Sequence, residues 1–315
     1  MRLLIRPFTS NDYPALTAIA NPTMANDPSI LEEVRYNDEH RDPLCKFQRW
    51  VAEIDGSIIG AAEYDQDNRH YHPRKFCIRG IVRTEYQGQG IGSALYRQII
   101  AALEPFNPLS AQSQVREARI DSIQFLKRRG FHEAWWRWES RLDVIAFDPA
   151  PYSNLEEQLR IQGIEIKTFR ELETDPERNS KLYALENELV MDVPTMDERT
   201  PITYDTFMHT INSLYMLPNA YFVALCNDEY IGVNTLYRSR ASNHLQTGLT
   251  GVKRAYRRRG IATALKLRGI AYAKEHGYTT LRVTNDAVNK PMLAINEHLG
   301  FVRRPAWITM VKVFA

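Results

Sequence analysis

The stretch EYQGQGIGSALYRQI (85–99) decides how the chain is interpreted, because a related stretch, AYRRRGIATALKLRG (255–269), follows 170 residues later. In both copies glycine and other small residues are followed by a helical pattern of apolar residues. A glycine-rich turn at the start of a helix exposes backbone N–H groups, which together with the helix dipole favour a bound pyrophosphate. Each copy therefore predicts a phosphate-binding loop between a strand and a helix.

The similarity between the two halves extends beyond these loops. RRGF (128–131) and HLGF (298–301) have the same separation, and WVAEIDGSIIGAAEY (50–64) is echoed by FVALCNDEYIGVNTLY (222–237). Matches in the same order at nearly one spacing indicate that one structural unit has been duplicated.

Each half is predicted to be an α/β unit with a mixed sheet and flanking helices. The order is a strand, a helix, a hairpin, a further strand, the glycine loop with its helix, a second helix and a closing strand. The hairpin turns are predicted at Asp55-Gly56 and Asp228-Glu229. The closing strand of the first half is AWWRWESRLDV (134–144), and its tryptophans are expected to alternate across the strand at the core or the domain interface.

The length of 315 residues fits two domains. The segment FDPAPYSNLEEQLRIQG (147–163) contains the Pro and Asn residues of a linker. We therefore predict an N-terminal domain at residues 1–150 and a C-terminal domain at residues 151–315.

The composition is that of a folded protein, with 44% hydrophobic and 25% charged residues. The formal net charge of +2 gives no global field that would attract nucleic acid. The three cysteines are widely spaced, and His70 and His72 have no other nearby ligand spacing, so no metal site is predicted. Without an apolar run of membrane-spanning length or a signal-peptide pattern, we expect a cytoplasmic protein that has no membrane partner.

The second loop carries five cations within seven residues, namely Lys253, Arg254, Arg257, Arg258 and Arg259. Such a cluster suits a ligand with several phosphates. A Walker loop would need Gly-Lys-Ser/Thr, and a dinucleotide loop would need the GxGxxG spacing, and neither is present. A nucleic-acid patch is the other interpretation, but it would usually include further basic stretches and stacking aromatic residues.

Both loops resemble the [Q/R]-x-x-G-x-[G/A] signature of the GNAT N-acetyltransferase family, and RRGF and HLGF resemble its later element. The resemblance covers essentially the whole chain, twice, and the tandem layout is similar to that of the mycothiol synthase family. It implies two GNAT acyl-CoA N-acyltransferase domains with acetyl-CoA as the cofactor. The implied reaction is direct transfer of an acetyl group to a primary amine of a small molecule within a ternary complex.

The resemblance also implies which residues bind acetyl-CoA. The loops would donate backbone N–H groups to the pyrophosphate, and the preceding strand would donate to the thioester carbonyl. In the first half these residues are Ile81, Val82, Gln87, Gly88, Gln89, Gly90, Ile91 and Gly92. In the second half they are Gly251, Val252, Arg257, Arg258, Arg259, Gly260, Ile261 and Ala262.

The sequence departs from the family at the usual acid, a tyrosine four residues before the glycine of the G-F pair. That position is Leu126 in the first half and Asn296 in the second. The family asparagine is retained as Asn289 but is replaced by Arg119 in the first half. Because leucine cannot donate a proton, the second half is predicted to be the catalytic one, with the first half cofactor-binding or degenerate.

Two further residues are candidates for catalysis in the second half. Thr250 either faces the thioester or forms a hydrogen bond within the sheet. Glu186 is a candidate base on a helix that contacts substrate in family members, although acidic residues on such a helix are usually solvated. Two alternative functions stay open: a non-catalytic acyl-CoA-binding or sensing protein, and a protein N-acetyltransferase.

Overall fold

The secondary structure follows the duplicated sequence pattern. The computed structural model describes residues 2–23, 30–238 and 242–314, apart from the Thr23 side chain. The first half contains β1 (Leu3–Pro7), α1 (Tyr13–Thr23), α2 (Leu31–Glu39), β2 (Gln48–Ile54), β3 (Ser57–Asp65), β4 (Lys75–Val82), α3 (Ile91–Leu103), β5 (Ser110–Arg116), α4 (Ile120–Lys127) and β6 (His132–Asp143).

The second half repeats this order after a short helix in the predicted linker. It contains α5 (Leu155–Ile161), β7 (Ile164–Thr168), α6 (Arg178–Met191), α7 (Tyr204–Ile211), β8 (Met216–Cys226), β9 (Glu229–Arg238), β10 (His244–Val252), α8 (Ile261–Glu275), β11 (Thr280–Asp286), α9 (Lys290–His298), β12 (Val302–Arg303) and β13 (Trp307–Val313).

The strands of the two halves form one continuous mixed sheet within the described residues. Its order is β1-β2-β3-β4-β5-β13-β6-β11-β10-β9-β8-β7, with β12 pairing to β6. The α/β fold with a mixed sheet is thereby confirmed. At the centre of the sheet the two halves exchange their last strands. β13 pairs with β5 of the first half, and β6 pairs with β11 of the second half.

This exchange makes each hydrophobic core depend on the other half. Ile308 and Met310 on β13 are buried in the core that contains α3 and α4 of the first half. Leu142 on β6 is buried in the core of the second half. The domain boundary at residue 150 therefore stays a prediction. It describes the order of the two units along the chain and not two separate sheets, because β6 and β13 each contribute to the other unit.

The sheet separates two kinds of helix. Helices α3 and α4, and their counterparts α8 and α9, lie on one face, whereas α6 and α7 of the second half pack on the other. The predicted alternation of the tryptophans in β6 is confirmed, because Trp136 packs against the core of the first half while Trp135 donates a 2.7 Å hydrogen bond to Asp286.

One predicted turn needs correction, and some elements were not predicted. β5 and α2 were not predicted, because SAQSQVR has few apolar residues and LEEVRYNDE is mostly polar. The second hairpin turns at Asn227-Asp228, both with positive φ (48° and 66°), and Glu229 already lies in β9. The predicted turn at Asp55-Gly56 is confirmed.

Substitution of Met310 tests the strand exchange. Met310 is fully buried in the core of the first half, so we expect Met310→Ala to lower the free energy of unfolding by about 2–5 kcal/mol. Val313→Ala on the same strand is the control, because 68% of Val313 is exposed. Denaturant unfolding would measure both. A loss for Met310→Ala no larger than that for Val313→Ala would contradict the exchange.

Candidate active site

Each half contains a cleft where two parallel strands separate. Between β4 and β5, only Lys75–Cys77 pair with Ser110–Gln112. Between β10 and β11, only His244–Gln246 pair with Thr280–Arg282. Beyond these pairs the strands diverge, and the edge of each strand that faces the gap has no partner strand. The predicted thioester donors Ile81, Val82, Gly251 and Val252 lie on these separated parts of β4 and β10.

The two glycine loops have the same backbone conformation at the mouths of these clefts. Gly90 and Gly260 have φ of 84° and 83°, and Gly88 corresponds to Arg258 with φ of 78° and 64°. Neither α3 nor α8 begins with a side-chain cap. The first N–H groups of each helix are therefore open, as binding of a phosphate would require.

Gln87 and Arg257 have matching structural roles. The Gln87 side chain donates a 2.9 Å hydrogen bond to the Val82 carbonyl, and Arg257 Nε donates one of the same length to the Val252 carbonyl. These bonds tie each loop to the end of its strand. Gln89 likewise bonds within its loop, to the Glu85 carbonyl at 3.2 Å.

Acidic side chains already pair with three of the five cations of the second loop. Asp192 at the end of α6 pairs with Arg254 and Arg257, and Lys253 pairs with Glu229 at 2.8 Å. Arg258 and Arg259 have no acidic partner among the described residues, and both are exposed. These two side chains are therefore the ones available for phosphates.

The loops differ in their surroundings. A Cβ added at Gly260 would lie 2.8 Å from Leu155 Cδ1 of α5, whereas a Cβ at Gly90 would have no neighbour within 4 Å. The linker helix thus packs against the second loop and leaves the first one open. Ile91 and Ile261 are buried at the start of their helices, and Gly92 and Ala262 follow them.

A carboxyl group lies on the α6 side of the second sheet. Glu186 is half-buried on α6, and Tyr221 of β8 donates a 2.6 Å hydrogen bond to its Oε1. Burial raises the pKa of Glu186, while the Tyr221 bond and the charge of Arg69 act in the opposite direction. Burial and the Glu186 charge raise the pKa of Tyr237, on the adjacent strand β9, to about 12.

A bulge shapes the strand beside this carboxyl group. The register between β9 and β10 shifts between Thr247 and Thr250. A Cβ on Gly248 within this bulge would lie 2.3 Å from the Tyr237 ring, so only glycine fits there. The bulge breaks the regular ladder at the point where β10 leaves β11.

The first half has ion pairs in place of this arrangement. Arg49 and Glu63 occupy the cross-strand pair that corresponds to Tyr221 and Thr235, and they form a 2.6 Å ion pair. Arg49 also pairs with Asp38 at 2.6 Å, and Arg79 pairs with Glu63 at 3.2 Å. This region of the first half is closed by mutually satisfied charges.

Three candidate residues of the second half make structural hydrogen bonds. Asn289 caps α9 by accepting from the Met292 N–H at 3.4 Å. Thr250 donates to Asn234 Oδ1 at 2.8 Å, so its hydroxyl is used within the sheet. Asn296 is buried and donates to Asn285 Oδ1 at 2.7 Å, and its own Oδ1 has no partner among the described residues.

Several residues at this site were not predicted from the sequence. Tyr221, Tyr237 and Arg69 surround Glu186, but none belongs to a local motif. The duplication gives one signal for Tyr221, because the corresponding position in the first half is Arg49. Arg69 has no such signal, because it belongs to the other half. A separate cavity of about 310 Å³ near Lys75 and Val313 lies where β4 and β5 are still paired, outside both clefts.

The arrangement of cleft, loop and uncapped helix agrees with a comparison against known protein families. The sequence profile of the acetyltransferase (GNAT) family matches residues 14–131 and again residues 182–301. The chain belongs to the GNAT family. Both copies of the duplicated unit are thus GNAT units, and each match includes one glycine loop.

Comparisons with individual proteins support a tandem GNAT chain. Mycothiol acetyltransferase of Acidothermus cellulolyticus is 23% identical over 286 residues, which cover 86% of this chain and 80% of that protein. A tandem GNAT protein from the clavulanic acid biosynthesis pathway has a TM-score of 0.77 at 17% identity, covering 99% of this chain and 98% of that one. A GCN5-related N-acetyltransferase from Sphaerobacter thermophilus has a TM-score of 0.74 at 19% identity, with coverage of 99% and 95%.

Across residues 2–23, 30–238 and 242–314, no helix has the length and apolarity needed to cross a bilayer.

The two unpaired arginines of the second loop give a test of ligand binding. We expect Arg258→Gln combined with Arg259→Gln to weaken acetyl-CoA binding by roughly tenfold, because charge-assisted bonds to phosphate would be lost. Isothermal titration calorimetry at low and high salt would measure this loss, which should shrink as salt screens the charges. Arg268→Gln is the control, because Arg268 lies on α8 and pairs with Glu156 at 2.7 Å. An unchanged Kd in the double variant would exclude these side chains as phosphate ligands.

Proposed function

We propose that this protein is an acetyl-CoA-dependent N-acetyltransferase that acetylates a primary amine of a small molecule in the cleft of its second half. The observation that carries the proposal is Glu186, a half-buried carboxyl group with a raised pKa on α6, the helix whose Leu189 packs against Gly251 on the separated part of β10. Membership of the GNAT family supports an acetyltransferase activity. The primary amine as acceptor and the roles of the individual residues are what we propose.

The residues of the second loop suit the pyrophosphate of acetyl-CoA. Its open N–H groups at residues 258–262 and the side chains of Arg258 and Arg259 would hold the phosphates. The backbone of Val252, on the separated part of β10, would hold the acyl end, whereas the Gly251 carbonyl points towards β9. When bound, acetyl-CoA supplies an activated acetyl group as a thioester. The matching residues of the first loop, 87–92, would hold a second molecule less strongly because Gly88 and Gln89 replace Arg258 and Arg259.

Glu186 is suited to remove the proton from the incoming ammonium group. A general base works best when its pKa lies near the working pH, and burial moves this carboxyl group in that direction. Tyr221 fixes the carboxyl group through its 2.6 Å hydrogen bond. Glu186 would therefore act as the catalytic base, with Tyr221 as a positioning residue.

The remaining candidates are proposed to position other groups. Thr250 ties β10 to Asn234 on β9 and so fixes the strand that lines the cleft. Asn289 fixes the start of α9. The unpaired Oδ1 of Asn296 would accept an N–H or S–H group of the ligand, since an amide carbonyl has no proton to donate.

Loss of the base is the first test of this mechanism. We expect Glu186→Gln to lower kcat by about 10²–10⁴-fold, because glutamine cannot accept the ammonium proton. The assay would follow CoA release over a panel of amines and confirm the acetylated product by mass spectrometry. Glu188→Gln on the same helix is the control, because Glu188 is exposed. Equal activity in both variants would exclude Glu186 as the base, and no CoA release from the wild type with any amine would favour an acyl-CoA-binding protein.

The pH profile gives a second test. The base works as a carboxylate, so kcat/KM falls as the pH drops through the pKa of Glu186. Tyr221 stabilises the carboxylate and lowers that pKa, so we expect Tyr221→Phe to move this fall to higher pH. Tyr183→Phe should leave the profile in place, because the Tyr183 hydroxyl bonds to the Ile202 carbonyl instead. A profile of Tyr221→Phe that does not move, or that moves to lower pH, would contradict the assignment.

A further inference from the structure

We propose that the acceptor amine carries an anionic group, a carboxylate or a phosphate, and that Arg69, Arg137 and Arg199 bind this group. These residues come from three separate segments: the β3–β4 connection, β6 and the α6–α7 connection. Arg137 reaches the second cleft through Asp286, its neighbour at the end of β11. The inference rests on the proposed function and specifies the acceptor.

Arg199 is the central residue of this arginine cluster. Its side chain is partly buried, its Nε is shielded from solvent without a hydrogen-bond partner, and no ion pair holds it within the described residues. A guanidinium group that loses water without gaining a partner is unfavourable, so an anionic group of a ligand would be a natural partner. Burial and the charges of Arg69 and Arg137 lower the pKa of Arg199, in agreement with cations grouped together.

Contacts between the two halves hold the cluster in place. The Thr200 N–H donates to the Arg69 carbonyl at 2.8 Å, and the Tyr71 N–H donates to Thr200 Oγ1 at 3.0 Å. Lys75 pairs with Asp197 at 2.5 Å close by. The segment that carries Arg199 is thus fastened to the segment that carries Arg69.

The nearby carboxylates leave Arg199 without an ion-pair partner among the described residues. Asp286 lies 3.9 Å from Arg137 and also accepts the Trp135 hydrogen bond, while Asp67 pairs with His70 at 3.0 Å. The third carboxylate, Glu186, accepts the Tyr221 hydrogen bond. The unpaired guanidinium group of the partly buried Arg199 therefore favours an anion with several acceptor oxygens.

The position relative to Glu186 relates the cluster to the acceptor. The positive charge of Arg69 acts to lower the pKa of both Glu186 and Tyr237. Asp286 lies at the end of β11, the strand opposite β10 across the cleft, and its neighbour Arg137 links the arginine cluster to that side of the cleft. One small molecule would then place its amine at Glu186 and its anionic group among the arginines, as in an amino acid or an amino phosphate.

Anion binding can be tested without turnover. Malonate and inorganic phosphate would be titrated at constant ionic strength into protein saturated with CoA, and tryptophan fluorescence would be followed because Trp135 contacts Asp286. We expect saturable binding that Arg199→Gln and Arg69→Gln each weaken at least fivefold. Arg170→Gln, at an exposed arginine, should bind like the wild type. No saturable change in the wild type, or unchanged affinity in Arg199→Gln, would overturn the proposal.

A second experiment uses acceptor pairs that differ only in charge. Amino acids would be compared with their carboxamides, and amino phosphates with the matching amino alcohols, in the CoA-release assay. We expect the anionic member to have at least tenfold higher kcat/KM in the wild type and in Arg170→Gln, and to lose this advantage in Arg199→Gln. The phosphate and carboxylate pairs show which anion is preferred.

The two experiments separate failure of this inference from failure of the proposed function. A higher kcat/KM for the carboxamides and amino alcohols would overturn the proposed anion site but would still support the proposed acetyltransferase activity. Anion binding that depends on Arg199, without turnover of any amine, would support the site and count against the proposed reaction.

Discussion

The exchange of the last strands between the halves is the constraint on which the rest of the structure depends. β13 completes the sheet of the first half and β6 that of the second, and the two pair with each other between them. Neither half can bury its core alone, because Met310 and Leu142 each belong to the core of the other unit. The same exchange carries Arg137 on β6 to Asp286 of the second half. Folding of the chain and construction of the cleft are therefore one event.

The two units have equivalent structural positions, but residues of different charge and polarity occupy some of them. Arg49 and Glu63 satisfy each other in the first half, together with Asp38. The corresponding region in the second half holds a half-buried carboxyl group whose hydrogen-bond partner is the Tyr221 hydroxyl. Isolated buried carboxyl groups reduce stability and are retained mostly where chemistry needs a shifted pKa. The contrast supports the proposal that the second half carries the chemistry, whereas the family tyrosine is absent from both halves and does not distinguish them.

The sequence predicted the features that depend on local patterns. The positive φ of Gly90 and Gly260 follows from small residues at a strand-to-helix turn, and the repeat itself revealed two α/β units. Long-range pairing was not accessible in this way. The pairing of β6 with β11 has no local signal, and neither has the contact of Asp192 with Arg254 across 62 residues. The five loop cations predicted a cluster suited to a ligand with several phosphates, but only the fold shows that acidic residues already pair with three of them.

The arginine cluster and the base are coupled through their charges. Arg69 stabilises the Glu186 carboxylate and so opposes the effect of burial on its pKa. An anionic group bound among the arginines would offset part of that positive charge, and the pKa of Glu186 would then rise. The carboxylate would become a stronger base when an acceptor occupies the cleft, at the moment when a proton has to be removed. An acceptor without the anionic group would leave Arg69 unopposed and Glu186 a weaker base. The cluster would thus favour anionic acceptors twice, once through binding and once through the basicity of Glu186.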